Sequence, residues 1–178
     1  MKSRYLGILL VAMGLGLSSP AAMAQDGIEK NLINRPDVKG WNVYGEGQTH
    51  KFRKDKEVQG GGALRIDIAA NRPNVWDIGA SAPITGAIKA GDKLILIVWA
   101  RHEGEGSVSI PAVIQKGSPP YTPIIASTLT VTPEWKMATL EGVSPADYAA
   151  GEANIALQLG GQAVKLDLGP AFVLNMGQ

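Results

Sequence analysis

The stretch Asp92–Arg101, DKLILIVWAR, decides the fold of this chain. Its residues from Leu94 to Trp99 are apolar without a break, rich in β-branched and aromatic side chains, and follow a Gly-Asp turn signal. A run of this length is too short to span a membrane and is typical of a strand covered on both faces. The stretch therefore predicts a central β-strand around which the other elements are arranged.

The two faces of this strand differ in chemistry, because side chains alternate along a strand. One face is purely aliphatic and is predicted to enter a core; it consists of Leu94, Leu96, Val98 and Ala100. The other face carries two isoleucines and ends in Trp99 and Arg101. An indole beside a guanidinium is an unusual pair to bury in a core. Trp99 and Arg101 are therefore predicted to form the floor of a binding surface.

The N-terminus has the pattern of a secretory signal peptide. Lys2 and Arg4 precede an apolar segment at 5–17, and a small-x-small cleavage site follows at 22–24. The apolar segment is too short and too glycine-rich for a membrane anchor. The sequence predicts a signal peptide at 1–24 and a mature chain, 25–178, that has no membrane span and is exported to the periplasm or the medium.

The composition of the mature chain excludes some partners. Of the 17 Lys and Arg, two lie in the leader, so 15 stand against 16 Asp and Glu and the formal net charge is −1. Such a balance does not suggest nucleic acid or an anionic membrane as partner. Cysteine is absent, so the domain depends on burial or on a bound ion rather than on disulfides.

The remaining pattern predicts an all-β fold. About ten short alternating segments are separated by turn signals, the chain contains 22 Gly and 11 Pro, and no amphipathic helix stands out. These features predict a single domain, a β-sandwich of two antiparallel sheets of jelly-roll or immunoglobulin-like type. Trp41 is expected in its core, and His50 and His102 are expected in solvated positions. Tyr121 lies at the tip of a proline-rich loop that restricts its backbone.

Five short motifs carry a family resemblance. They are GW at 40–41, LRI at 64–66, WDI at 76–78, WAR at 99–101 and ALQLG at 156–160. In this order and spacing, the chain from about 31 to 174 resembles the CenC-type carbohydrate-binding modules, the group that gathers families four, nine and twenty-two. The resemblance implies a β-jelly-roll whose concave sheet binds polysaccharide, often xylan or β-glucan.

The resemblance also implies roles for individual side chains. Trp76 would be a stacking platform, while Arg101, Gln115 and Gln158 would bind hydroxyl groups. Tyr121 would close one wall of the site. The chemistry is reasonable, since the C–H face of a pyranose packs on an aromatic ring and Arg or Gln side chains bind pairs of hydroxyls. With Trp99, these are six candidate ligand-binding residues.

A structural calcium ion at the opposite edge is a further implication of the resemblance, with Asp37 and Asp167 as candidate ligands. Where the family has an Asp-aromatic-Glu turn, this chain reads Asp37-Val38-Lys39. Calcium needs oxygen ligands and tolerates no ammonium among them. We expect Lys39 to pair with Asp167 instead, so that the calcium site is lost or weakened and no cofactor is bound.

The sequence thus predicts an exported, non-catalytic carbohydrate-binding module, with polysaccharide as its ligand and a separate glycoside hydrolase as a possible protein partner. One alternative is an exported sandwich that binds a protein through the Trp99 face. Another is a small glycosidase or esterase. An enzyme is disfavoured because the chain lacks a Gly-x-Ser-x-Gly turn and most of its acidic residues lie in loops.

Overall fold

The computed structural model describes residues 29–178, so the predicted signal peptide lies outside the described residues. The unit Asn31–Gln178 contains ten β-strands and two short 3₁₀ helices, at Val38–Gly40 and Val75–Asp77. The strands are β1 Asn42–Tyr44, β2 Gln48–Lys54, β3 Gly62–Ile68, β4 Gly79–Pro83, β5 Lys93–Glu103, β6 Val108–Lys116, β7 Pro123–Val131, β8 Lys136–Val143, β9 Ala153–Gln158 and β10 Val164–Asn175. The all-β prediction is confirmed.

The strands form two five-stranded antiparallel sheets. Sheet I has the order β1-β4-β9-β6-β7, and sheet II has the order β2-β3-β10-β5-β8. Neighbours in both sheets are mostly distant in the chain, as in β10 between β3 and β5. The two sheets share one hydrophobic core, which gives the predicted β-sandwich of two antiparallel sheets. Within the described residues, no helix has the length and apolar character needed to cross a membrane.

Strand β5 supplies the centre of the core, as its sequence predicts. Leu94, Leu96 and Val98 are fully buried on its inner face. Ile155 on β9 and Ile114 on β6 are fully buried from the side of sheet I. Each such side chain contributes about 1.5–3 kcal/mol to folding through burial. The core thus fixes which face of each sheet points outward.

Two further expectations have opposite outcomes. Trp41 is in the core, 5% exposed, and its Nε1 donates a hydrogen bond of 2.9 Å to the carbonyl oxygen of Gly169. The prediction that His102 lies in a solvated turn is wrong, since β5 continues to Glu103 and His102 is buried with Nε2 3.1 Å from the carbonyl oxygen of Gly106. Because β5 extends beyond the predicted turn, the His102 side chain is buried rather than exposed to solvent.

Candidate functional site

A cavity of about 700 Å³ lies on the outward face of sheet I. All five strands of the sheet contribute lining residues, together with the 3₁₀ helix before β4 and the loop between β6 and β7. We call this cavity the cleft. Its floor is set by strand register, because residues opposite each other on neighbouring strands form rows across the sheet.

The central row of the floor is built from small or short side chains. Its members, taken from β1 across β4, β9 and β6 to β7, are Asn42, Ser81, Ala156, Val113 and Ala126. Five strands at about 4.8 Å spacing make this row about 19 Å long. The row is therefore a shallow track, perpendicular to the strands and long enough for an extended chain rather than a single small ring.

One side of the track is bordered by aromatic residues and an amide. Tyr44, Gly79 and Gln158 form the next row. The Tyr44 ring lies against Gly79, where a Cβ atom would collide with the phenol group. A side chain at position 79 would therefore displace the Tyr44 ring. Trp76 also lines this part of the cleft.

The Trp76 side chain is placed by a short, well-held helix. The carboxylate of Asp77 accepts hydrogen bonds from the backbone N–H and the side-chain amide of Asn74, which closes the N-terminus of the turn. The N–H of Gly160 donates to the carbonyl oxygen of Val75 at 2.8 Å. With its backbone fixed on both sides, Trp76 presents its indole 60% exposed at the cleft. An indole this exposed on a fixed backbone is suited to stacking on a ligand.

The other side of the track is bordered by two amides that face each other across strands. Asn154 on β9 pairs with Gln115 on β6. The Oδ1 atom of Asn154 is buried and, among the described residues, has no hydrogen-bond partner. Leaving a buried acceptor unpaired costs about 1–3 kcal/mol. The Asn154 and Gln115 residues thus form the polar border of this side of the cleft.

Tyr121 closes this side from the loop between β6 and β7. Its φ of +57° is in the left-handed region, which costs a non-glycine residue about 1–2 kcal/mol. Hydrogen bonds from its N–H to Ser118 O and from Lys116 N–H to Thr122 O hold the loop in this shape. Burial raises the pKa of Tyr44, and the nearby Tyr121 phenol raises it further. Both phenols line the cleft, on opposite sides of the track.

The structure brings together four of the six predicted ligand-binding residues. Trp76, Gln115, Tyr121 and Gln158 all line the cleft. Five further polar residues line the cleft that were not predicted as site residues: Asn42, Tyr44, Ser81, Ser127 and Asn154. For Asn154 a signal existed, because strand alternation puts it on the same face of β9 as Gln158.

Trp99 and Arg101 are not part of this surface. Both lie on β5, in sheet II, with their side chains on the outward face of that sheet. The expectation that Trp76, Trp99 and Arg101 share one surface is wrong. The physical reason is that β5 is a central strand of the opposite sheet, so its non-core face is separated from the cleft by the whole thickness of the sandwich.

Arg101 belongs instead to an ion-pair network on sheet II. Its guanidinium donates to Asp167 at 3.0 Å, to Asp55 at 2.9 Å and to Glu57 at 3.1 Å. It also lies over the ring of Trp135, 4.9 Å from the ring centroid. All three guanidinium nitrogens are engaged, so Arg101 holds the segment that follows β2 against the sheet.

Asp167 is the centre of this network. The carboxylate is 2% exposed and accepts hydrogen bonds from Arg53 at 2.6 Å, Arg65 at 2.7 Å and Arg101 at 3.0 Å. Burial raises the pKa of Asp167, but hydrogen bonds from Arg65 and Arg101 and the charges of Arg65 and Arg53 lower it more, so that it lies below its ordinary value. The expected pairing with Lys39 is wrong, because these three arginines take both carboxylate oxygens.

The two candidate calcium ligands do not fit a calcium site. Asp37 caps the first 3₁₀ helix, where its Oδ1 accepts the backbone N–H of the exposed Lys39 at 2.9 Å. Asp167 is surrounded by guanidinium groups, which would repel a cation. Across 29–178, no three His, Asp or Glu side chains are grouped so that they could hold a metal ion.

Comparison with known proteins identifies the class of fold. No protein-family model matches the sequence, and no curated protein matches it. A solved CBM4 module is similar at 21% identity and TM-score 0.61, over 77% of this chain and 95% of the module. The N-terminal cellulose-binding domain of Cellulomonas fimi β-1,4-glucanase C is similar at 24% identity and TM-score 0.55, over 80% and 92%.

A third similar structure is the CBM22-1 xylan-binding domain from Paenibacillus barcinonensis, at 14% identity and TM-score 0.54, over 83% of this chain and 93% of that domain. The chain therefore has the fold of the CenC-type carbohydrate-binding modules, as the motif resemblance predicts. The match extends over nearly the whole length of each of these three domains.

Proposed function

We propose that the protein is an exported, non-catalytic carbohydrate-binding module that holds a xylan or β-glucan chain in the cleft of sheet I. The observation that carries the proposal is the exposed indole of Trp76 beside a track of small side chains bordered by amides. A pyranose has apolar C–H faces and a polar rim of hydroxyls, so it needs an aromatic ring and amide groups together.

The chemistry of the lining supports binding rather than catalysis. Glycoside hydrolysis generally uses two carboxyl groups that flank the scissile bond. The lining residues of the cleft, all within the described part of the chain, include no Asp, Glu or His. The module would bind polysaccharide without cleaving it, in cooperation with a separate glycoside hydrolase.

The test is affinity electrophoresis over xylan, mixed-linkage glucan, hydroxyethylcellulose and laminarin, with wild type and Trp76→Ala. Loss of the stacking platform is expected to weaken binding about tenfold, which corresponds to about 1.4 kcal/mol. The matched control is Phe52→Ala, because Phe52 is also half-exposed but lies on β2 in sheet II. The proposal is refuted if no polymer retards the wild type, or if both variants bind like it.

Export is a separate part of the proposal and rests on residues 1–24 alone. Expression of the full chain in a Gram-negative host, followed by cell fractionation and N-terminal sequencing, is expected to give a protein outside the cytoplasm that begins at Gln25. A product that keeps Met1 and stays in the cytoplasm would contradict it.

A further inference from the structure

The cleft carries no formal charge. Although 19% of the chain is Asp, Glu, Lys or Arg, none of the residues that line the cleft in the described part of the chain is ionisable apart from two tyrosines, Tyr44 and Tyr121. The pKa of Tyr44 is raised above its ordinary value near 10, so that phenol is neutral at physiological pH. The ligand therefore meets a surface that is polar but uncharged.

A network of ion pairs lies on the opposite sheet. Arg53, Arg65 and Arg101 pair with Asp55 and Asp167 on the outward face of sheet II. The network lies on the far side of the sandwich, and packed sheets are about 10 Å apart. The network is also internally compensated, since with Glu57, Glu103 and Lys165 it has four positive and four negative groups. It cannot supply a counter-charge to a ligand in the cleft.

The hydrogen-bonding groups of the cleft are matched to hydroxyls. Gln115, Asn154 and Gln158 have amides that both donate and accept, as does a sugar hydroxyl. A carboxylate or sulfate oxygen cannot donate, and its burial without a cation costs several kcal/mol. An ammonium group would find no carboxylate partner.

We propose, building on the function proposed above, that the cleft selects uncharged stretches of polysaccharide and rejects chains that carry uronate, sulfate or amino groups. Binding is then insensitive to ionic strength, because no charge pair is formed or broken. On a polymer with scattered acidic side groups, the module binds only the regions that lack these groups.

The test uses two soluble derivatives of one backbone, hydroxyethylcellulose, which is neutral, and carboxymethylcellulose, which is anionic. Affinity for the neutral polymer is expected to change less than about twofold between low and high salt, and the anionic polymer is expected to bind at least tenfold more weakly at low salt. Equal or tighter binding of carboxymethylcellulose would overturn the selection while leaving the proposed function intact. If neither polymer nor xylan binds, the proposed function itself is refuted.

A gain-of-charge variant provides an independent arm. Ser127→Lys places a cation at the exposed β7 side of the cleft, and it is expected to raise affinity for carboxymethylcellulose at low salt only. Thr139→Lys adds the same charge at an exposed position on β8 in sheet II and controls for net charge. Equal effects of the two variants would show that the polymer responds to overall charge and would overturn the proposal.

Discussion

Replacement of Asp167 by asparagine is the sharpest test of what holds sheet II together. The substitution keeps the shape of the side chain but removes its charge and one of its two acceptor oxygens. In the wild type those oxygens accept from Arg53 at 2.6 Å, from Arg65 at 2.7 and 3.0 Å and from Arg101 at 3.0 Å. The variant therefore leaves three guanidiniums without the negative charge that they share.

The expected loss follows from the burial of the network. Removing one partner of a buried ion pair typically costs about 3–5 kcal/mol. The lower end applies here, because the three arginine side chains are 15–31% exposed and keep secondary partners such as Asp55 and Glu103. A loss of about 3 kcal/mol in a domain of this size corresponds to a decrease of about 6–12 °C in the melting temperature.

The assay is thermal unfolding followed by circular dichroism, at pH 7 and at several lower pH values. The pKa of Asp167 is lower in the folded protein than in the unfolded chain, so the ionised carboxylate stabilises the fold above about pH 4, and this contribution is lost as the pH falls through the folded pKa. The difference in melting temperature between wild type and Asp167→Asn is therefore expected to be largest at pH 7 and to decrease in acid.

The control is Glu103→Gln, which removes a carboxylate that also pairs with Arg65 but whose side chain is 55% exposed. Solvent screens such pairs, so its melting temperature is expected to stay near that of the wild type. A melting temperature of Asp167→Asn within about 2 °C of wild type at pH 7, or a gap that does not change in acid, would refute the reasoning.

Two further predictions concern the backbone and the response to calcium. Gly45→Ala is expected to destabilise the domain by more than the about 1–2 kcal/mol that a φ of +96° costs a non-glycine residue, because the new Cβ collides with the carbonyl group of Asp77. Gly60→Ala is the control, since residue 60 has a similar φ of +83° but open space around it, so only the cost of the backbone conformation is expected. Equal urea midpoints for the two variants would show that the predicted collision does not occur. Calcium chloride and EDTA are each expected to leave the melting temperature within about 1 °C, because Asp37 and Asp167 are committed elsewhere; a large calcium-dependent rise would show that other groups bind the ion.

Local pattern was enough to predict the architecture. The alternation in Leu94–Ala100 correctly assigns the core face of β5, and the same rule separates Asn154 and Gln158 from the buried residues of β9. The turn signals and the absence of a helical period predict the two-sheet sandwich. These properties depend on residues that are close together in the chain, so they can be predicted from a single sequence.

The sequence by itself thus determined the strands, their faces and the class of fold. Only the tertiary structure decided which sheet each strand joins, and with it which outward faces coincide. Trp76, Gln115 and Gln158 meet because β6 and β9 pair in one register beside β4, whereas Trp99 and Arg101 lie on the far side because β5 pairs with β8 and β10. Strand order is set by contacts between distant segments, and the period-two alternation of a strand is the same in either sheet.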